Sequence, residues 1–185
     1  HLTVTHEMRF PNSLGLLYSA FTAFLGFKVN NDEYKVMGMA PYGEPRYADI
    51  ILQKLLDLRS DGSLCLDLDY FAFQYGKSMF NRTKFERLLD VKARPFEATV
   101  GQEHYDIAAS IQHVLEVAVL RMAEHVRQET RLEALCLAGG VALNSVANGK
   151  LLRNGPFKEI FIQPAAGDAG GAVGAAYMAY HAHFG

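Results

Sequence analysis

The sequence lacks the features that mark several specialised classes of protein. Its 185 residues include only two cysteines, and 18 Lys and Arg nearly balance 20 Asp and Glu, for a formal net charge of −2. Cys65 and Cys136 both lie in apolar runs, so we expect small hydrophobic side chains rather than a disulfide or a metal pair. The balanced charge provides no basic surface, and no nucleic-acid partner is expected.

Long hydrophobic runs are also missing. The longest stretch of small apolar residues, 164–180, is interrupted by Asp168 and by glycines, so we expect no membrane span. We expect no signal peptide, and 50% hydrophobic with 21% charged residues is typical of one globular unit. These features together predict a protein of the reducing cytoplasm. The absence of an initiator Met suggests an excerpt from a longer chain.

Few residue clusters suggest metal ligands. His1 and His6 lie in a strand-like alternation, five residues apart, so they would point to opposite faces and are not expected to share a metal. His113 and His125 fall in a long helical pattern, where we expect partly buried or surface side chains rather than ligands.

Two glycine-rich turns are the most informative feature present. The first is 137–141 and the second is 166–171. Each turn follows an apolar run typical of a buried strand and precedes a helical pattern. The runs are 135–138 and 159–163, and the helical patterns are 144–153 and 170–183. A right-handed crossover would make the strands parallel and place both turns at their carboxyl ends, the edge where open α/β sheets bind ligands.

Glycine backbone amides can approach a phosphate closely, and the start of a helix favours an anion. The candidate phosphate-binding residues are Gly139, Gly140, Val141, Gly167, Gly170 and Gly171. Asp168 lies inside the second turn, where a carboxylate would repel phosphate unless a cation lies between them, so we interpret it as a metal or water ligand. The alternative is that the glycines permit only tight turns and close packing, with Asp168 as a helix N-cap.

The remaining patterns are less specific. Residues 14–25 form a helical pattern capped by Asn12 or Ser13, in which Gly15 allows a close approach by a ligand or by another element. Residues 35–43 are predicted to be an irregular loop. Lys35, at its start, is interpreted as a phosphate ligand or a solvated side chain. The other expected elements are helices over 46–58, 81–92 and 104–130 and a strand over 63–73.

Four ordered segments resemble the O-carbamoyltransferases of nodulation-factor and antibiotic biosynthesis. They are Ser13–Ala20, Tyr34–Gly43, Ala138–Asn144 and Gln163–Ala172. The first glycine turn with Asn144 also resembles the tRNA threonylcarbamoyl-transfer ATPases, whose domain is actin-like. This resemblance implies an α/β fold, a ribonuclease H-like or actin-like ATPase lobe with a mixed sheet flanked by helices. Residues 1–185 would be the second lobe, without the first lobe and the adenylate-forming domain.

The resemblance also implies an activity. Such enzymes use ATP to convert carbamoyl phosphate to carbamoyl adenylate and transfer the carbamoyl group to a hydroxyl of a small molecule. The excised lobe by itself is expected to be inactive. The alternatives are a non-catalytic nucleotide-sensing module of the sugar-kinase and actin superfamily, or an interaction scaffold.

Individual residues take their implied roles from the same resemblance. Asp168 matches a catalytic aspartate that binds a divalent metal, iron or magnesium, together with two histidines of the first lobe. Gly139, Gly140 and Asn144 match the nucleotide-binding turn. Gly15 matches a helix that lies against the nucleoside, and Lys35 falls in a further nucleotide-associated motif.

Overall fold

A long helix, α5 (Gln102–Thr130), organises residues 3–185, the part of the chain that this computed structural model describes. His1, the first histidine considered above, lies outside the described residues. The other helices are α1 (Leu14–Phe24), α2 (Glu33–Met39), α3 (Ala48–Lys54), α4 (Arg82–Leu89), α6 (Ser145–Asn154) and α7 (Ala169–Phe184). The strands are β1 (Leu56–Leu58), β2 (Leu64–Leu66), β3 (Ala134–Leu137) and β4 (Glu159–Ile162), and two 3-10 helices span Ala40–Tyr42 and Gly140–Leu143.

The apolar stripe predicted along α5 forms much of the core. Ile107, Ile111 and Leu115 are fully or almost fully buried, because their spacing places them on one face of the helix. They belong to the same buried cluster as Phe21 and Phe24 of α1. The stripe leaves the core toward its carboxyl end: Met122 is only partly buried and Val126 is exposed, as is most of the last turn.

The strands form two small sheets rather than one mixed sheet. β1 pairs antiparallel with β2, and β3 pairs parallel with β4, within residues 3–185. The expectation that β3 and β4 are buried is wrong, since exposed and half-buried residues alternate along both strands. One face packs against Leu151 and its neighbours, while Phe161 on the other face is 60% exposed. Cys65 and Cys136 are exposed free thiols, so the prediction that they pack as small hydrophobic residues is also wrong.

Four local predictions need correction. Residues 35–43 are not an irregular loop: α2 continues to Met39, and Pro41 lies in the first turn of the 3-10 helix, where a missing N–H does no harm. The helix predicted over 46–58 ends at Lys54, because Leu56–Leu58 pairs instead with β2 across the Asp61–Gly62 turn. The strand predicted over 63–73 spans only Leu64–Leu66, and residues 3–9 form no strand.

The last helix, α7, has close to the predicted extent and is exposed along almost its whole length. None of its residues is buried within the described chain. Its large apolar side chains are therefore exposed: Val173, Tyr177, Met178, Tyr180 and Phe184. The alternative in which Gly170 and Gly171 serve helix-on-sheet packing has no support here. Over the described range, no helix combines the length and apolar character needed to cross a bilayer.

Candidate functional site

The two glycine turns lie side by side at one edge of the β3–β4 sheet. The last residues of the two strands, Leu137 and Ile162, are directly paired, so both turns leave the sheet at neighbouring points. The Gly139 N–H donates a hydrogen bond to the Ala166 carbonyl oxygen at 2.7 Å, which joins the first turn to the second. The prediction that parallel strands bring the two turns to one edge is confirmed.

The first turn has a backbone shape that requires glycine. Gly139 has φ of +98° and ψ of 163°, a region that residues with a Cβ rarely occupy. The 3-10 helix that begins at Gly140 follows directly. Its leading N–H groups, on Gly140 and Val141, make no hydrogen bond to another described residue. A Cβ at Gly140 would meet nothing within 4 Å, so these donors lie where an anion can approach.

Gly15 lies against this first turn. A Cβ at Gly15 would be 3.5 Å from Cγ2 of Val141, which is ordinary van der Waals contact. The start of α1 is fixed here because Oγ of Ser13 accepts a hydrogen bond from the Leu16 N–H at 3.2 Å. The structure therefore brings Gly15 and Val141 together, although they are far apart in the sequence, and the element that approaches Gly15 is the turn itself.

Asn144 is held by contacts that the sequence analysis missed. Its Oδ1 accepts the Ala147 N–H at 2.9 Å and so caps α6. Its Nδ2 donates to Oε1 of Gln112 at 2.9 Å, and Nε2 of Gln112 donates back to Oδ1 of Asn144 at 3.1 Å. This pair of amides ties the end of the first turn to the middle of α5.

The amide pair belongs to a buried polar network. Gln112 is 3% exposed, and its Oε1 also accepts the Tyr18 hydroxyl at 3.1 Å. Its Nε2 donates to Glu116, whose other oxygen lies 2.8 Å from Nζ of Lys150. Burial raises the pKa of Tyr18 well above its usual value, so the phenol stays neutral and serves as a hydrogen-bond donor.

A sequence signal for this network exists. Gln112 and Glu116 are four residues apart, next to the apolar stripe of α5, so they share one helix face close to the core. Buried polar side chains require partners, which makes such a pair a reason to expect a polar element packed against α5. The sequence does not reveal that this element is Asn144.

The second turn engages the N–H groups of its last two glycines within the turn itself. The Gly170 N–H donates to the Gly167 carbonyl and the Gly171 N–H to the Asp168 carbonyl, both at 3.0 Å. A Cβ at Gly170 would lie 2.2 Å from the Ala165 carbonyl oxygen, so glycine is required there by a close backbone approach. Gly167 faces the first turn: a Cβ there would be 3.8 Å from Cδ1 of Leu143. In this structure the N–H groups of Gly170 and Gly171 are therefore engaged within the turn, whereas those of Gly140 and Val141 remain without a hydrogen-bond partner among the described residues.

Asp168 is exposed at the start of α7 and is free to bind a ligand. It occupies the N-cap position, but its backbone is helical, with φ of −55° and ψ of −31°, and its side chain makes no capping hydrogen bond. The alternative of a helix cap is therefore not supported. A carboxylate suits a hard divalent cation, and the described residues supply only this one oxygen ligand in the turn. Any cation at Asp168 needs further ligands from elsewhere.

Lys35 is engaged with other partners. Its Nζ lies 3.1 Å from Oδ1 of the buried Asp32 and over the rings of Phe27 and Tyr34. The Lys28 N–H, with a smaller contribution from Lys35, lowers the pKa of Asp32 and keeps it ionised. The segment nevertheless reaches the site through Met37.

Met37 links α2 to the start of α6. The Ser145 hydroxyl, next to Asn144, lies 3.6 Å from Sδ of Met37.

A cavity of about 510 Å³ lies elsewhere, between Tyr47 and the 90–104 segment, and none of the predicted site residues lines it. The candidate site is thus an open surface at the sheet edge rather than a closed pocket.

Comparison with known proteins identifies the family. The family described as Carbamoyltransferase N-terminus matches residues 1–177. The chain belongs to this carbamoyltransferase family. The nodulation protein NolO of Bradyrhizobium diazoefficiens is 44% identical over 178 residues, which cover 95% of this chain and 30% of that protein. The nodulation protein NolNO of Sinorhizobium fredii is 42% identical over 167 residues, covering 90% of this chain and 23% of the relative.

A cyanobacterial relative is more similar still. The uncharacterised protein sll1178 of Synechocystis is 58% identical over 180 residues, covering 97% of this chain and 29% of that protein. The chain therefore spans less than a third of the length of these relatives. The resemblance noted from the four sequence segments is confirmed at the level of the family.

Proposed function

We propose that this chain forms part of an ATP-dependent carbamoyltransferase. The complete enzyme would use ATP and water to convert carbamoyl phosphate to carbamoyl adenylate, with release of phosphate and pyrophosphate. It would then transfer the carbamoyl group to a hydroxyl of a small molecule, with release of AMP. The observation that carries this proposal is the junction of the two glycine turns, Gly139 to Ala166, in a chain that matches the carbamoyltransferase family over residues 1–177. Such a junction places backbone donors and a free carboxylate at one sheet edge.

The first turn is the proposed nucleotide-binding part. The N–H groups of Gly140 and Val141 would donate hydrogen bonds to phosphate oxygens, because they have no hydrogen-bond acceptor among the described residues. Asn144 is held in one orientation by Gln112 and Ala147, which fixes the end of the turn before a ligand arrives. The turn would hold the AMP part of carbamoyl adenylate, which the separate adenylate-forming domain would make from ATP. Gly15 would leave room for the nucleoside beside Val141.

Asp168 is the proposed metal ligand and catalytic residue. Its carboxylate is exposed and makes no capping bond, so it can bind iron or magnesium without breaking an existing contact. The missing ligands, two histidines in the proposal, would come from a first lobe. A bound cation would draw negative charge from the group being transferred. The side chain of Asp168 would hold that cation beside the amides of the first turn.

The exposed apolar surfaces suggest where the rest of the protein packs. α7 has no buried residue, and the outer face of β3 and β4 carries the exposed Phe161. Contiguous exposed apolar surfaces are typical of contacts with another folded part of a protein. We propose that the first lobe and the adenylate-forming domain of the full-length protein cover them. In that arrangement the β3–β4 pair would belong to the sheet of an actin-like, ribonuclease H-like lobe.

The full-length protein provides the direct test. Transfer of label from carbamoyl phosphate is measured with ATP and a panel of small hydroxyl compounds, beside bound-metal content. We expect Asp168→Asn to lower transfer by on the order of 100-fold or more and to reduce bound metal, with unchanged thermal unfolding. The matched control is Asp57→Asn, an exposed carboxylate of β1 that pairs with Arg59, and it should leave transfer unchanged.

Two outcomes would contradict the proposal. Near-normal transfer and metal content in Asp168→Asn would exclude the metal role of that residue. Tight nucleotide binding by the full-length protein without any carbamoyl transfer would instead support the nucleotide-sensing module.

A further inference from the structure

Three metal-ligating side chains meet at the carboxyl end of α5, beyond the polar network in the middle of that helix. His6 comes from the N-terminal segment, defined as residues 3–9, and His125 and Glu129 come from the last turns of α5. Nε2 of His6 lies 3.4 Å from Oε2 of Glu129, and Nε2 of His125 lies 3.4 Å from Oε1 of the same carboxylate. The three candidate ligand atoms all lie within 4.8 Å of one another.

We propose that His6, His125 and Glu129 form a zinc-binding site that fastens the N-terminal segment to α5. Two imidazoles and one carboxylate are a donor set that suits Zn²⁺ and leaves a fourth position for water. Zinc bound tetrahedrally at about 2.0–2.1 Å separates neighbouring ligand atoms by roughly 3.3 Å. The two nitrogen-to-oxygen distances in the cluster are close to that separation.

The geometry favours a metal site over simple ion pairs. A charge-assisted hydrogen bond between imidazolium and carboxylate is about 2.7–2.9 Å long, shorter than either contact here. Both imidazoles also face one carboxylate, with ring centroids 5.4 Å apart at an interplanar angle of 78°. Two protonated rings at that distance would repel each other, whereas two neutral rings can donate lone pairs to one cation.

The surroundings prepare two of the ligands. His125 and Glu129 are four residues apart on α5, so the helix holds both on one face without further ordering. Nδ1 of His6 lies 3.2 Å from Oγ1 of Thr5. This hydroxyl oxygen can accept a hydrogen bond from the Nδ1–H group, which leaves the lone pair of Nε2 free for a metal. All three side chains are partly exposed, so an ion can reach them from solvent.

The site was not expected from the sequence. The spacing of His1 and His6 argues against a metal shared by those two, and the partner of His6 is instead the distant His125. His125, expected to be a partly buried or surface side chain rather than a ligand, has an acidic partner in Glu129 one helical turn later. The N-terminal segment also borders a cavity of about 250 Å³ beside the β1–β2 hairpin, so fixing it would order the approach to α1.

Zinc binding by the purified protein tests the proposal. We expect one equivalent of Zn²⁺ to bind by titration calorimetry and to perturb the ring NMR signals of two histidines. We expect a lower affinity for this Zn²⁺, by at least roughly tenfold, in each of three variants: His6→Ala, His125→Ala and Glu129→Gln. His113→Asn, on the same helix but outside the cluster, and Asp168→Asn in the second turn should retain it. Mg²⁺ should not compete, because imidazole ligands disfavour it.

Two results would contradict the proposed zinc site. Equal Zn²⁺ affinity in the wild type and all three cluster variants would overturn the proposal, as would the absence of any saturable equivalent. The NMR measurement uses the unaltered protein, so it decides the matter even if a variant folds poorly. Because the control Asp168→Asn separates the two proposed metal sites, failure of this site would leave the carbamoyltransferase proposal intact.

Discussion

Gln112 offers the most demanding test of how the candidate site is held together. Replacing it with Leu keeps the approximate size of the side chain but removes its hydrogen bonds. The Tyr18 hydroxyl and the Asn144 amide would then lose their partner in the interior, while Glu116 keeps Lys150. Each buried polar group left without a partner costs about 1–3 kcal/mol. We therefore expect Gln112→Leu to lower the free energy of unfolding by about 2–4 kcal/mol.

A double-mutant cycle with Tyr18→Phe separates the network from general packing. Tyr18→Phe alone should cost about 1 kcal/mol, because Gln112 keeps its bonds to Asn144. In the Gln112→Leu background the same change removes a hydroxyl that already lacks a partner, so it should cost little or be stabilising. The expected coupling between the two positions is about 1 kcal/mol or more.

Chemical denaturation followed by circular dichroism measures all four proteins. Gln128→Leu, at an exposed position of the same helix, is the matched control and should change the free energy of unfolding by less than about 0.5 kcal/mol. A loss below about 0.5 kcal/mol in Gln112→Leu, or strictly additive effects in the cycle, would refute the network as a source of stability. Nucleotide affinity of the full-length protein should fall in parallel, because Asn144 is no longer fixed.

Two further predictions concern single residues. Gly139→Ala should destabilise the protein by about 1–3 kcal/mol because of its positive φ, whereas Gly140→Ala should have little effect in thermal unfolding; similar effects would refute the backbone explanation. Lys92, Arg82 and the Ala93 N–H lower the pKa of Glu86 to about 2, from 4.5. The resulting stability should therefore be present above pH 4.5 and lost as the pH falls toward 2. Glu86→Gln should flatten that part of the profile, and an unchanged acid limb would contradict the assignment.

Local sequence determined the elements that carry the site. The apolar spacing of α5, the cap of α1 and the glycines after β3 and β4 each depend on residues that are close along the chain, so their effects could be predicted. The parallel pairing of β3 with β4 also followed, because a helix between two strands favours a right-handed crossover. These features of the sequence are enough to predict that the two glycine turns lie at one edge of the sheet.

Tertiary structure decided what touches those turns. The Asn144–Gln112 pair and the contact of Gly15 with Val141 join segments that are far apart in the sequence, and no local pattern specifies their partners. The helix predicted over 46–58 was cut short for a related reason, since pairing with β2 outweighed a helical apolar spacing. Burial was likewise misjudged for β3 and β4, because an apolar composition shows that a segment favours burial but does not identify the element that would cover it.

The cluster of His6, His125 and Glu129 also depends partly on local sequence and partly on tertiary structure. The four-residue spacing of His125 and Glu129 is written in the sequence and places both on one face of α5. The third member, His6, arrives only because the N-terminal segment lies beside the end of that helix. A donor set becomes a site when folding brings its members within a few ångströms, and that distance depends on the packing of the whole chain rather than on any one segment.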